Sequence, residues 1–259
     1  MKMKSILFAS VAVLFTAGSV SAADLTNPFG LPKQGGISSD TRIELSRTKY
    51  KDGIGTLDNL MASEEIQYGL TDNLALTGTL YNRFDIDDMS GLNNQHNLGY
   101  QVGLAYNIKK DNFLAQVYGS YLTYDAKSHY GYIVNKGWQK YVEGGIKVGY
   151  YAGCGFTPYA TYAVLNPIDS TEGSLEHSAF VGAHKTYKKW AADAGIRYDF
   201  TTANKGEKAW STEAEIAYNV TDNIAVALYG TYYIGGSNSK YYAETDTDHT
   251  VGLRLKMGF

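Results

Sequence analysis

The chain has 259 residues, 44% of them hydrophobic, with 28 glycines and 23 tyrosines but four prolines and one cysteine. A net charge of −3 with no basic domain argues against nucleic-acid binding. The lone Cys154, flanked by Gly153 and Gly155 as in a turn, excludes an intramolecular disulfide.

The amino terminus reads as a secretory signal peptide over residues 1–22. Lys2 and Lys4 form a basic start, Ile6 to Phe15 an apolar stretch, and Val20-Ser21-Ala22 a small-residue cleavage site. Cleavage after Ala22 would leave 237 of the 259 residues and move the net charge from −3 to −5, since Lys2 and Lys4 are lost. The remaining chain has no run of about 20 apolar residues, the length a transmembrane helix needs. If it sits in a membrane it must do so as a closed barrel, because only helices and barrels satisfy every backbone group in lipid.

Residues 23–38 read as a periplasmic N-terminal segment, and 39–259 as the barrel. Strands are predicted at about 39–49, 59–70, 74–85, 96–108, 113–124, 138–151, 156–166, 187–200, 209–220, 224–236 and 248–259, from apolar–polar alternation of period two. Leu98, Tyr100, Val102, Leu104, Tyr106 and Ile108 alternate with Asn97, Gly99, Gln101, Gly103, Ala105 and Asn107. Residues 65–76, EIQYGLTDNLAL, and 215–226, EIAYNVTDNIAV, agree at seven of twelve positions. Each is a strand, a short turn and a returning strand, with Asp and Asn expected to make the turn through their own side chains. If both TDN turns lie at the same end, a strand is missing between 167 and 209. Residues 174–185, with Leu175, Ala179, Val181 and Ala183 on one parity and His177 interrupting, supply it. Twelve strands are therefore favoured, with ten as the alternative.

Aromatics gather near strand ends: Tyr68, Tyr218, Trp190 and Phe113 by the short turns, Trp138, Phe200, Trp210 and Phe84 by the longer loops. Two such girdles are expected where a barrel crosses two membrane interfaces. Glu64 departs from the pattern, sharing its parity with Ile66 and Tyr68; a bulge or a position above the hydrocarbon would explain it.

The polar parity defines the expected lumen. Its basic members are Arg42, Arg83, Lys147, Arg197, Arg254 and Lys256; its acidic members are Glu44, Glu65, Glu143, Asp193, Glu213 and Glu215. Balanced charges in a narrow space imply ion pairing, because an unpaired charge there is costly. Tyr81, Tyr141 and Tyr159 are also candidates for the inner face, chiefly as packing. The five histidines, His96, His129, His177, His184 and His249, show no catalytic spacing, and no zinc, calcium or cofactor motif is present.

The last strand ends HTVGLRLKMGF, with Val251, Leu253, Leu255, Met257 and Phe259 on one parity. A terminal strand of this kind closing on an aromatic residue resembles those of Gram-negative outer-membrane β-barrel proteins, of the small porin-like kind. The signal peptide and the TDN hairpins carry the same resemblance, which spans the whole mature chain. It implies an all-β, antiparallel up-and-down transmembrane barrel in the outer membrane. Leu253, Leu255, Met257 and Phe259 would serve as the assembly signal, with outer-membrane lipid and the assembly machinery as partners. The implied function is a narrow channel for small polar solutes, not an enzyme. A non-conducting structural or surface-binding, adhesin-like barrel is the alternative, acting through outer loops at about 86–95, 125–137 and 237–247. An outer-membrane hydrolase is the third class.

Overall fold

The structure is a computed structural model and describes residues 25–51, 56–85, 96–126, 137–168, 174–202, 208–237, 239–240 and 243–259. The expected signal peptide, residues 86–95 and 127–136, and His129 lie outside these residues.

The described residues form one antiparallel sheet closed on itself. Its strands are β1 (Ile37–Tyr50), β2 (Thr56–Gly69), β3 (Leu74–Asp85), β4 (His96–Lys110), β5 (Phe113–Ala126), β6 (Gly137–Tyr150), β7 (Phe156–Pro167), β8 (Glu176–Tyr187), β9 (Trp190–Thr201), β10 (Lys208–Thr221), β11 (Ile224–Ser237), the two-residue β12 (Ser239–Lys240) and β13 (Ala243–Gly258). Each long strand pairs with the next in sequence, and β1 pairs with β13 to close the cylinder. Setting aside β12, twelve strands make the wall. The strand inferred between 167 and 209 is β8.

Both TDN turns fall at the end that also holds Ile37 and Phe259, where the backbone N–H groups of Ile37 and Phe259 each donate to the other's carbonyl at 2.9 and 2.7 Å. The turn chemistry differs from the expectation. The Thr71 hydroxyl accepts the N–H groups of Asn73 and Leu74, and the Thr221 hydroxyl accepts that of Asn223. Threonine therefore makes these turns, which frees Asp72 to accept a hydrogen bond from the Gln34 N–H at 3.2 Å. The expected loop at 237–247 is also shorter than predicted, because β13 already begins at Ala243 and its first residues pair with β12.

The wall is inside out relative to a soluble protein. Leu253 is 64% exposed on the outer face, and Val102, Leu104, Ile146, Ile196, Ile216, Leu228 and Val251 are exposed around it. The buried apolar cluster among the described residues consists of three alanines, Ala191, Ala217 and Ala227. Exposed apolar area costs about 25 cal/mol per Å² in water, so a continuous belt of it is what a bilayer-spanning barrel presents. At the short-turn rim the belt ends in Tyr68, Tyr106, Phe113, Tyr150 and Trp190; at the other rim it ends in Tyr100, Trp138, Tyr162 and Trp210. His177 belongs to this outer surface, stacked on Phe200 at 4.6 Å with Tyr162 Oη 2.8 Å from its Nδ1.

Glu64 lies on the outer parity in an unbroken β1–β2 register, opposite Thr41. No bulge turns it inward. It accepts a hydrogen bond from the Thr41 hydroxyl instead.

Candidate functional site in the barrel lumen

Inward positions repeat every second residue, so the lumen wall is a lattice of side chains from adjacent strands. Long inward side chains need small neighbours. Tyr81 lies over Gly99, Tyr118 over Gly145 and Tyr229 over Gly252; a Cβ at each glycine would fall 2.0 to 2.5 Å from the nearest ring atom. Tyr118, Tyr124 and Tyr229 join the three expected inward tyrosines.

A continuous chain of alternating charges crosses the β1–β13 seam. Arg42 and Arg254 are cross-strand partners, an arrangement that repels. Asp40 resolves the conflict by accepting hydrogen bonds from both guanidinium groups, that of Arg42 at 3.0 Å. Arg42 also reaches Glu65 at 3.5 Å. Arg254 continues to Glu215, which takes Lys256 Nζ at 2.6 Å. Arg254 reaches this far because β11, lying between β13 and β10, places the small Ala227 opposite it. Glu65, Asp40 and Glu215 thus neutralise Arg42, Arg254 and Lys256. Asp40 is the member that sequence reasoning missed. It stands one inward step from Arg42, so the same parity rule would have found it.

The other expected residues also face inward. Arg197 Nη2 donates to Glu213 at 3.1 Å. Asp193 accepts from Tyr159 at 2.7 Å, with His184 Nδ1 at 3.4 Å. Glu143 accepts from Gln101 at 3.0 Å, Arg83 Nε donates to Asn59 at 3.0 Å, and Glu44 accepts from Tyr229. Lys147 makes no ion pair among the described residues. Toward the longer loops the lining turns to aromatics and amides. Tyr124 and Tyr141 stack at 5.5 Å, and both donate to Gln139 at 2.8 Å.

The N-terminal segment enters this lumen, which the sequence did not suggest. Gly35 N–H donates to Gly69 O, and Gly69 N–H donates to Gly36 O, tying residues 35–36 to the end of β2. A Cβ at Gly69 would fall 2.0 Å from Lys33 O, so glycine is required where the backbones cross. The second TDN copy carries Asn219 at that place. Thr26, Phe29 and Pro32 are buried. Phe29 packs edge-on to Tyr159 with ring centroids 6.1 Å apart. Residues 25–31 and the wall enclose a cavity of about 560 Å³, lined by Asp40, Arg42, Glu65, Lys147, Asp193, Arg197, Glu213, Glu215, Arg254 and Lys256. Glu44, Arg83 and Glu143 sit outside that cavity's lining. Among the described residues, no group of three or more His, Cys, Asp or Glu side chains is arranged to hold a metal ion.

No protein-family profile matches the sequence, and no curated protein matches it. Solved structures do resemble the fold. The COG4313 outer membrane channel from Pseudomonas putida F1 superposes with a TM-score of 0.68 at 13% identity, over 90% of this chain and 98% of that one. The NanC porin superposes with a TM-score of 0.57 at 10% identity, over 83% and 98%. The KdgM porin, in complex with disordered oligogalacturonate, superposes with a TM-score of 0.50 at 11% identity, over 84% and 97%. The closed antiparallel wall of twelve long strands is thus the fold that this chain shares with those solved outer-membrane barrels.

Proposed function

We propose that the protein is an outer-membrane channel, narrow and porin-like, for small polar solutes. The observation that carries this reading is the polar, charge-paired cavity inside a closed barrel whose outside is apolar. A purely structural barrel could fill its interior with packed apolar residues. Here charged groups line a cavity of about 560 Å³, which water and small polar solutes can occupy at little desolvation cost. Outer-membrane lipid is the partner of the belt. The assembly machinery is the partner of the final strand, through Leu253, Leu255, Met257 and Phe259.

Paired signs leave little net field along the pore, so conductance should be small and ion selectivity weak. Planar-bilayer recordings of the purified protein test this. Reversal potentials across a salt gradient should lie near zero for the wild type and move toward cation preference in Arg197→Gln/Arg254→Gln. A folded protein that never conducts would refute the channel; strong anion selectivity in the wild type would refute the charge balance.

A further inference from the structure

The N-terminal segment is held in the lumen much as a ligand is held in a site. Lys147 Nζ donates to Pro28 O at 2.6 Å. Asn107 Nδ2 donates to Phe29 O at 2.7 Å, while its Oδ1 accepts from Gln116 Nε2 at 2.9 Å, which fixes the amide with its donor toward the segment. The Phe29 ring fills a slot between Tyr159 and the bare backbone of Gly149, where a Cβ would come within 2.8 Å of it. Lys147 lies 5.6 Å from the ring centroid. The wall therefore offers two donors, one from β6 and one from β4, beside a flat apolar slot, and two consecutive neutral carbonyls with a phenyl ring occupy them.

The occupant is a poor match for the site's charge. Arg42, Arg83, Arg197, Arg254 and Lys256 each have a carboxylate or a side-chain amide oxygen to accept a hydrogen bond. Lys147 has a backbone carbonyl, and no carboxylate within ion-pair distance among the described residues. A carboxylate would be the stronger acceptor for an enclosed ammonium, and the Asn107 amide stands ready for a further acceptor on the same solute.

We propose that Lys147, Asn107, Tyr159 and Gly149 form a binding site for a small carboxylate bearing a flat ring, an aromatic monocarboxylate, and that Pro28–Phe29 is its tethered competitor. An arriving solute displaces the segment, so occupancy of the site and opening of the short-turn mouth are one event. The site's place in transport rests on the channel reading; the site itself does not.

Benzoate is the probe, titrated into the refolded mature chain in detergent micelles and followed by calorimetry or ligand-observed NMR. Acetate and benzyl alcohol are the controls. A tethered competitor lowers apparent affinity by the fraction of time it occupies the site. Phe29→Ala should therefore tighten benzoate binding by about tenfold. Phe29→Leu should do so less, and gives the same reading if the alanine variant refolds poorly. Lys147→Met in either background should weaken benzoate at least about tenfold, the loss expected for a hydrogen bond to a charged group. Acetate should bind more weakly than benzoate, and benzyl alcohol should be indifferent to Lys147. Benzyl alcohol matching benzoate in Phe29→Ala would mean a ring-shaped hole without a carboxylate site, and would overturn the proposal. So would benzoate binding that survives Lys147→Met. Conductance without benzoate binding refutes this site and leaves the channel; binding without conductance does the reverse.

Discussion

Leu253 and Arg254 are neighbours in sequence and face opposite worlds. Leu253 stands exposed on the outer belt, and its surroundings ask only that it be apolar. Arg254 points inward and holds Asp40 and Glu215 from two other strands. The outer wall tolerates many side chains of one class, whereas the inner wall specifies particular partners. One face is set by solvent and the other by pairing.

Four substitutions sharpen that contrast. The largest effect is expected from Arg254→Met, which leaves Asp40 and Glu215 short of a cation; breaking an enclosed pair costs about 3–5 kcal/mol. Urea unfolding in lipid vesicles measures it, and a loss below 1 kcal/mol would mean the lumen is wet enough to screen the pair. Leu253→Arg follows, since a base at mid-depth on the lipid face costs about 2–4 kcal/mol. Reduced membrane yield and loss of heat-modifiable mobility report it. Gly99→Ala comes next: its Cβ meets the Tyr81 ring, and overpacking of this kind costs about 1–3 kcal/mol. Adding Tyr81→Phe should not relieve it, while Tyr81→Ala should. Glu64→Leu should change stability least, by less than about 1 kcal/mol, because the carboxyl it removes has a hydroxyl partner on an otherwise apolar face. A large loss there would show that the outer wall also contains a specific pairing.

The same contrast explains what could be read from the sequence. Alternation alone places Leu98 to Ile108 outward and Arg42, Glu65 and Arg197 inward, because strand geometry leaves a side chain only two directions. The count of twelve follows once the two TDN turns are taken to share an end, as they do in the structure. What alternation does not carry is who meets whom. Asp40 and Arg254 are 214 positions apart, and Tyr229 and Glu44 are 185 apart. Such pairs exist only once register and closure are known. The place of the N-terminal segment inside the lumen was illegible for another reason. Residues 25–36, LTNPFGLPKQGG, have no periodicity, and their place depends on gaps left by Gly69 and Gly149 on strands they do not neighbour. Glu64 shows the limit of the parity rule: the rule places it correctly, but its cost is met by Thr41, one strand away.

The joint between β1 and β13 also fixes an order of events. Its two sides are the strands farthest apart in sequence, and closing so long a loop carries an entropy cost. Each hairpin from β2 to β11 can form locally and quickly, but the cylinder cannot shut until β1 and β13 meet. Until then the growing sheet has two open edges, whose unpaired backbone groups invite association with other chains. Closure should therefore be the slow, all-or-none step of folding, with Asp40, Arg254 and the Ile37–Phe259 hydrogen bonds formed last. Circular permutation that moves the termini into the turn at 188–189 would convert this joint into a local hairpin and speed that step, with the finished wall unchanged.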